Sequence, residues 1–178
     1  MEFSKLIEER RSIRAYAAGT EISREEIEQM LYAAQQAPSW KNSQTGRYYV
    51  VLSKDMAETL RLTCLPDFNR DRTEHAAYIV TTFKRGFVGF TSGGKPTDSL
   101  GDGWGAYDLG LQNENLLLKA RELGYDTLIM GLRDEARIRE MLSISEDEIM
   151  VAVIAIGKRV SDPIKPARKP VDEIVKFF

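Results

Sequence analysis

The pattern of hydrophobic and polar positions along the chain predicts helices and strands in no regular alternation. Apolar residues at helical spacing, bounded by capping residues or by proline, mark five helices. Ser23 and Glu26 have the spacing of a capping box, and Gly124 is placed to end the longest helix. The predicted helices are one with Phe3, Leu6 and Ile7 on one face, one from Ser23 to Pro38, and three over residues 53–64, 106–123 and 134–142.

Four shorter runs have the β-branched and aromatic content that is typical of strands. They cover residues 48–52, 78–83, 127–130 and 149–156. The last run is almost unbroken in its apolar character, which predicts a strand buried on both faces. Residues 84–103 predict a long loop or lid, and residues 161–178 predict a tail extended over a surface. Together these elements predict an α+β fold in which helices pack around a small sheet.

Length and composition are those of one globular domain over residues 1–178. Apolar residues make up 43% of the chain and charged residues 29%, an ordinary balance for a protein with a core. A net charge of −2 gives no reason to expect nucleic acid or a membrane surface as a partner. The single cysteine, Cys64, cannot form a disulfide within the chain, and the charged N-terminus lacks the apolar centre of a signal peptide. We therefore expect a cytoplasmic protein without a membrane span.

Three motifs that could carry other chemistry are better interpreted as structural. Residues 89–95 have the spacing of a phosphate-binding P-loop, but Pro96 follows where a serine or threonine is needed. Residues 101–106 match a dinucleotide fingerprint without its preceding strand, which favours a glycine-rich loop leading into a helix. The single histidine, His75, lacks the further ligands of a metal site and the partners of a catalytic triad, so we predict no metal site.

Three polar segments could bind a ligand, although each also has a simpler explanation. Residues 10–14, Arg-Arg-Ser-Ile-Arg, could form a fork of charged donors for a phosphate, or only a solvated helix end. Residues 37–44 place hydroxyl and amide groups where they could bond a heteroaromatic ring, or only form a turn. Residues 165–170 add a second cationic cluster, stiffened by two prolines.

In this order the segments resemble the nitroreductase family, and the resemblance extends through essentially the whole chain. It rests on R-x-S-x-R over residues 10–14, A-P-S-x-x-N-x-Q over residues 37–44, a helix ending in E-L-G with Met130-Gly131 beyond it, and R-K-P at 168–170. The resemblance implies a nitroreductase-like α+β fold with a small mixed or antiparallel central sheet. It also implies a domain-swapped homodimer in which the tail, about residues 161–178, extends over the partner subunit.

The resemblance further implies FMN as the cofactor and NADH or NADPH as the electron donor. The cofactor-binding positions that it implies are Arg10, Arg11, Ser12, Arg14, Pro38, Ser39, Asn42, Asn69, Arg72, Met130, Gly131, Lys165, Arg168 and Lys169. Arg10 and Ser12 would hold the phosphate and ribityl end, joined by Arg168 and by either Lys165 or Lys169. Pro38, Ser39 and Asn42 would come from the partner subunit and flank the ring. The backbone N–H groups of Met130 and Gly131 would reach the flavin centre, including N5.

The implied activity is the transfer of two electrons from NAD(P)H to a nitroaromatic, a quinone or a related small aromatic acceptor by a ping-pong mechanism. No catalytic side-chain nucleophile is required, because the hydride chemistry belongs to the cofactor. Arg14, Asn69 and Arg72 would lie at the pyrimidine edge, and the two arginines would stabilise negative charge there. The alternatives are another flavin reaction, such as dehalogenation or flavin fragmentation, and a flavin-binding protein without turnover.

Two regions depart from the family pattern. Thr45-Gly46 follows Gln44 where many relatives have Pro-Trp, and Trp40-Lys41 replaces a small polar pair. Residues 84–103, with Phe87, Phe90 and Trp104 in or near them, occupy the region that is expected to shape the acceptor pocket.

Overall fold

The computed structural model describes residues 2–178 and contains a four-stranded sheet with helices on both faces. The helices are α1 (Phe3–Glu9), α2 (Arg24–Gln35), α3 (Lys54–Cys64), α4 (Asp67–Arg70), α5 (Gly103–Glu122) and α6 (Glu135–Leu142). The strands are β1 (Gly46–Val51), β2 (Ala77–Lys84), β3 (Asp126–Met130) and β4 (Glu148–Gly157). Short 3₁₀ turns lie at Trp40–Asn42 and Val171–Glu173. The predicted α+β class is confirmed.

The sheet has the strand order β1-β2-β4-β3, and every neighbouring pair is antiparallel. Side chains of β4 alternate between two apolar clusters, one on each face of the sheet. Val153 and Ala155 belong to one cluster, and Ile154 and Ile156 belong to the other. The nearly continuous apolar run of β4 therefore has a direct cause, since both faces of this strand are buried.

Two pairs of helices supply these clusters. α2 and α5 pack against each other, and Met30 and Leu116 are completely buried in their cluster with the sheet. α3 and α6 pack together, and Leu60 and Ile138 are completely buried in the cluster on the other face. Large buried side chains of this kind each contribute about 1.5–3 kcal/mol to folding. None of the helices described, over residues 2–178, is long and apolar enough to cross a membrane.

The observed helix ends agree with the predicted ones to within a few residues. Ser23 and Glu26 form the predicted capping box at the start of α2. α5 begins at Gly103 rather than Ala106, because the glycine-rich loop already turns into the helix there. Gly124 follows the end of α5 with φ of 87°, as expected for a glycine that stops a helix. The sequence pattern does not predict α4, since four residues are too few to show a helical period.

The N-terminal region has two features that periodicity did not predict. Only Leu6 of α1 is buried, whereas Phe3 and Ile7 remain exposed. Residues 10–14 are an extended segment, in which Ser12 forms a parallel β-bridge with Thr127 of β3. This segment therefore adds a short edge beside β3, on the side of that strand away from β4.

The two segments without predicted regular structure behave differently. Residues 84–103 form turns closed by a bridge between Phe90 and Pro96. Pro96 lies in this bridge and not at the start of a helix, so residues 89–95 do not form a P-loop. Residues 161–178 contain no helix or strand apart from one 3₁₀ turn, and nearly all of them are exposed on this chain.

Candidate functional site

The extended N-terminal segment arranges the R-x-S-x-R motif by the two-residue alternation of a strand. Ile13 N–H donates to the carbonyl of Thr127 at 3.0 Å, and the Ile13 side chain is buried in the core. Ser12 and Arg14, on either side of it, are exposed. Because side chains of an extended chain alternate in direction, the three motif positions share the outer side, and Arg10 begins that row.

A second group of implied residues lies at the far end of β3. Asn69 of α4 donates from Nδ2 to the carbonyl of Leu132 at 3.3 Å, which places α4 against the backbone that follows Met130. Arg72 is the second residue after the end of α4 and is exposed. We call the set comprising both groups the β3-edge site; its members are Arg10, Ser12, Arg14, Asn69, Arg72, Met130 and Gly131.

The site carries positive charge that the chain itself does not neutralise. Within residues 2–178, neither Arg14 nor Arg72 forms an ion pair, and Arg14 donates only to the carbonyl of Ser12 at 3.2 Å. Arg10 lies 3.8 Å from Glu114 of α5, a long and partly exposed contact. Guanidinium groups without carboxylate partners are available to a phosphate or to an anionic ring edge.

Apolar side chains lie beside these polar groups. Ile129 of β3 and Leu132 are 48% and 66% exposed, on either side of Met130 and Gly131. An exposed apolar surface next to a few directed donors is the combination that binds an aromatic ring with polar edges.

Residues 37–44 form a strained loop that is anchored on α5. Lys41, Asn42 and Gln44 have φ of 47°, 56° and 50°. Non-glycine residues in this region cost about 1–3 kcal/mol each and persist only when neighbouring contacts hold them. One such contact is the Trp40 N–H, which donates to the buried carboxylate of Asp108 at 2.9 Å. Sequence reasoning missed Asp108, whose only signal is an acidic residue on the apolar face of α5.

The unusual tryptophan of this loop packs within its own chain. The rings of Trp40 and Trp104 lie 4.7 Å apart at 53°, and Trp104 also contacts Tyr107 edge to face. The indole N–H of Trp104 donates to Asp98 at 2.9 Å. Trp104 therefore joins the turns of residues 84–103 to the loop of residues 37–44.

The remaining implied residues are not brought to the β3-edge site on this chain. No hydrogen bond or ion pair within residues 2–178 joins either residues 37–44 or the tail to that site. Arg168 donates to the carbonyl of Pro166 at 3.3 Å, and Lys169 lies 4.0 Å from Glu173. Arg11 is partly buried and donates to the carbonyl of Arg10 at 2.6 Å, so it does not share the outer row.

A cavity of about 720 Å³ does not coincide with the site. Its lining includes none of the implied cofactor residues. Four of the charged residues that line it form two ion pairs, Lys54 with Glu21 at 3.1 Å and Arg61 with Glu58 at 2.6 Å. We assign this cavity no ligand.

Replacing Asp108 tests how its charge affects stability. Burial raises the pKa of the Asp108 carboxyl, although the Trp40 N–H opposes this. Because its pKa is raised, ionising Asp108 costs free energy in the folded protein. This loss of stability is absent at acidic pH, where the carboxyl is protonated, and is complete above the raised pKa. An Asp108→Asn variant keeps an oxygen that can accept from Trp40. Chemical unfolding at a series of pH values should show this variant gaining stability over the wild type as the pH rises. A difference that does not change with pH would contradict this.

Comparison with known proteins agrees with the fold and the motifs. The model of the nitroreductase family matches residues 7–158. A protein of Archaeoglobus fulgidus that carries the name NADH dehydrogenase/NAD(P)H nitroreductase is 32% identical over 160 residues, covering 88% of this chain and 84% of that protein. The NAD(P)H nitroreductase MhqN of Bacillus subtilis is 26% identical over 206 residues, covering 99% of each chain.

A solved structure gives the same result. The nitroreductase of Exiguobacterium sibiricum in complex with FMN superimposes with a TM-score of 0.86 at 27% identity, covering 100% of this chain and 98% of that one. The fold and these comparisons thus define an α+β oxidoreductase. More narrowly, the chain belongs to the nitroreductase family, as its motifs predicted.

Proposed function

We propose that this protein is an FMN-dependent oxidoreductase that takes two electrons from NAD(P)H and passes them to a nitroaromatic, a quinone or a related aromatic acceptor. The observation that carries the proposal is the β3-edge site. It combines guanidinium groups without carboxylate partners and an exposed apolar surface at the end of β3, in a chain of the nitroreductase family. FMN, when bound, supplies the hydride chemistry.

The residues of the site fit the parts of that cofactor. Arg10 and Ser12 would bind the phosphate and ribityl end, because a guanidinium with an adjacent hydroxyl offers charge-assisted donors. Arg14 and Arg72 would lie at the pyrimidine edge and stabilise negative charge on the reduced ring. The amide of Asn69, through its bond to Leu132, would hold the backbone beyond β3 as well as face that edge.

The rest of the site would come from the tail and from a second copy of the chain. Arg168 would complete the phosphate site together with Lys165 or Lys169. Of these two lysines, Lys169 already lies near Glu173, which favours Lys165. Pro38, Ser39 and Asn42 of the partner subunit would flank the ring.

The proposal is tested by the purified protein and its chromophore. We expect a yellow protein that releases FMN, and not FAD, when it is denatured. We also expect it to oxidise NAD(P)H with a nitroaromatic or quinone acceptor. When NAD(P)H is added in the absence of oxygen, the visible absorbance of the bound flavin should be lost. A protein that still holds no flavin after reconstitution would rule out the proposal. FMN binding without NAD(P)H oxidation would instead support the flavin-binding alternative.

Turnover should follow a ping-pong mechanism. The two substrates would use one open face of the ring in turn, near the apolar residues Phe87 and Phe90 and the tryptophan pair. Initial rates measured at several fixed acceptor concentrations should therefore give parallel double-reciprocal lines against NAD(P)H. Intersecting lines would mean that both substrates bind together, and the single-face proposal would be abandoned.

The protein should be a homodimer with the tail of each chain on its partner. Single chains rarely leave so much apolar surface in water, and here the tail alone exposes Ile164, Phe177 and Phe178 almost completely and Ile174 by 72%. Removing residues 171–178 should weaken both dimerisation and FMN binding. A Lys176→Ala variant serves as the control, since it changes the tail without removing apolar surface. Sedimentation at micromolar concentration that shows a flavin-loaded monomer would contradict the dimer.

A further inference from the structure

One arginine holds the backbone that follows β3. β3 ends at Met130, and the chain then leaves the sheet, while β4 continues past this point. Ala152 and Met150 pair with consecutive residues of β2, so a β-bulge leaves Val151 without a partner on that strand. Consecutive carbonyl groups of a regular strand point to opposite sides, but a bulge breaks the alternation. The carbonyls of Met150 and Val151 both accept from the guanidinium of Arg133, at 2.6 and 3.2 Å.

The same guanidinium also fixes the turn itself. Arg133 donates to the carbonyl of Gly131 at 2.5 Å and to the carboxylate of Glu135 at 3.0 Å. The next carbonyl, of Leu132, accepts from Asn69 at 3.3 Å. Both carbonyls are thus engaged by the protein, whereas no hydrogen bond within residues 2–178 uses the N–H of Gly131 or Leu132. These N–H groups are therefore free donors beside the exposed apolar surface of the site.

We propose that Arg133 is a positioning residue that directs the free N–H groups of Gly131 and Leu132 toward the flavin ring. This inference rests on the proposed function. Gly131 has no side chain to restrict its backbone, so the direction of this turn depends on contacts from outside it. Donors held in place stabilise developing charge better than mobile ones, and an error of about 1 Å can cost roughly 100-fold in rate.

The chain offers a matched control, a second arginine that also binds a carbonyl group of β4. Arg139 has the same exposure of 12% as Arg133 and also pairs with Glu135. It donates to the carbonyls of Ser145 and Glu148, before and at the start of β4, and makes no hydrogen bond with Gly131. Arg133→Lys and Arg139→Lys each keep the positive charge but lose the planar fork that binds two carbonyls at once. Comparing the two variants therefore separates a general loss of protein stability, expected in both, from a loss of backbone positioning, expected only in Arg133→Lys.

In the flavin-free protein, the amide of Asp134, whose N–H donates to the carbonyl of Cys64 at 2.7 Å just beyond this turn, should exchange about tenfold or more faster in Arg133→Lys and at the wild-type rate in Arg139→Lys. In the FMN-loaded protein, the rate of flavin reduction by NAD(P)H should fall roughly 10- to 100-fold in Arg133→Lys alone. The midpoint potential of the flavin should become more negative in that variant. FMN affinity should change much less, since the phosphate contacts are untouched. Arg133→Gln provides a second variant if the lysine protein does not fold.

Each outcome bears on a separate statement. Equal exchange rates in the two lysine variants, or an unchanged reduction rate and potential in Arg133→Lys, would overturn the role of Arg133 while leaving the proposed function intact. A wild-type protein that binds no FMN would instead overturn the proposed function and, with it, the flavin-facing role.

Discussion

An Arg159→Met variant should lose about 3–5 kcal/mol of unfolding free energy, the range for removing one partner of a buried ion pair. Arg159 binds the carboxylate of Asp126 through two nitrogens, one of them at 2.8 Å, and the side chain of Asp126 is only 2% exposed. Without Arg159, the one cation among residues 2–178 left in an ion pair with this buried carboxylate would be Arg121, at 3.5 Å. For a chain of this size the melting temperature should fall by roughly 6–20 °C.

The same variant should also loosen the candidate site. Arg159 donates to the carbonyl of Glu9, directly before the R-x-S-x-R segment, at 3.4 Å. Arg24→Met is a matched control, because Arg24 is a solvent-exposed arginine paired only with Glu28 on the same helix, and such pairs contribute about 0–1 kcal/mol. A double variant that also carries Asp126→Asn should recover part of the lost stability. Equal melting temperatures for the two single variants would contradict the assignment.

An Arg168→Ala variant should bind FMN about 10- to 150-fold more weakly than the wild type. The expected loss is about 1.5–3 kcal/mol, the range for a hydrogen bond to a charged group, and each 1.4 kcal/mol corresponds to a factor of ten. Arg168 is exposed and donates only to the carbonyl of Pro166, so its removal breaks no internal structure. The dissociation constant should be measured by flavin fluorescence during titration of the flavin-free protein.

Charge alone would not produce this effect. Arg24→Ala removes the same charge from another exposed position and should leave FMN affinity unchanged within about twofold, because exposed charges farther apart than a Debye length of about 10 Å are largely screened. If the two variants bind FMN equally well, Arg168 does not contact the phosphate. The melting temperature of the flavin-free protein should be the same in both.

Much of the fold follows from patterns within short stretches of sequence. The capping box at Ser23 and the apolar run of β4 are set by neighbouring residues, and the structure confirms both. The family can also be identified from short stretches of sequence, since R-x-S-x-R and A-P-S-x-x-N-x-Q are local motifs that a single sequence displays. α4 was the exception, because so short a helix is held by its surroundings and not by its own periodicity.

The tertiary structure alone decided how the site is assembled. Ser12 forms a β-bridge with Thr127, and the Trp40 N–H donates to Asp108, although the residues of each pair are far apart in the sequence. Only strand pairing and helix packing determine such contacts. Arg133 depends on a bulge that places two carbonyls of β4 on the same side, and no motif encodes that register. The sequence by itself determined the types of residue and the family, because both are read from local order. The arrangement of donors and charges required the fold, because contacts between distant residues are fixed only when the sheet and the helices pack.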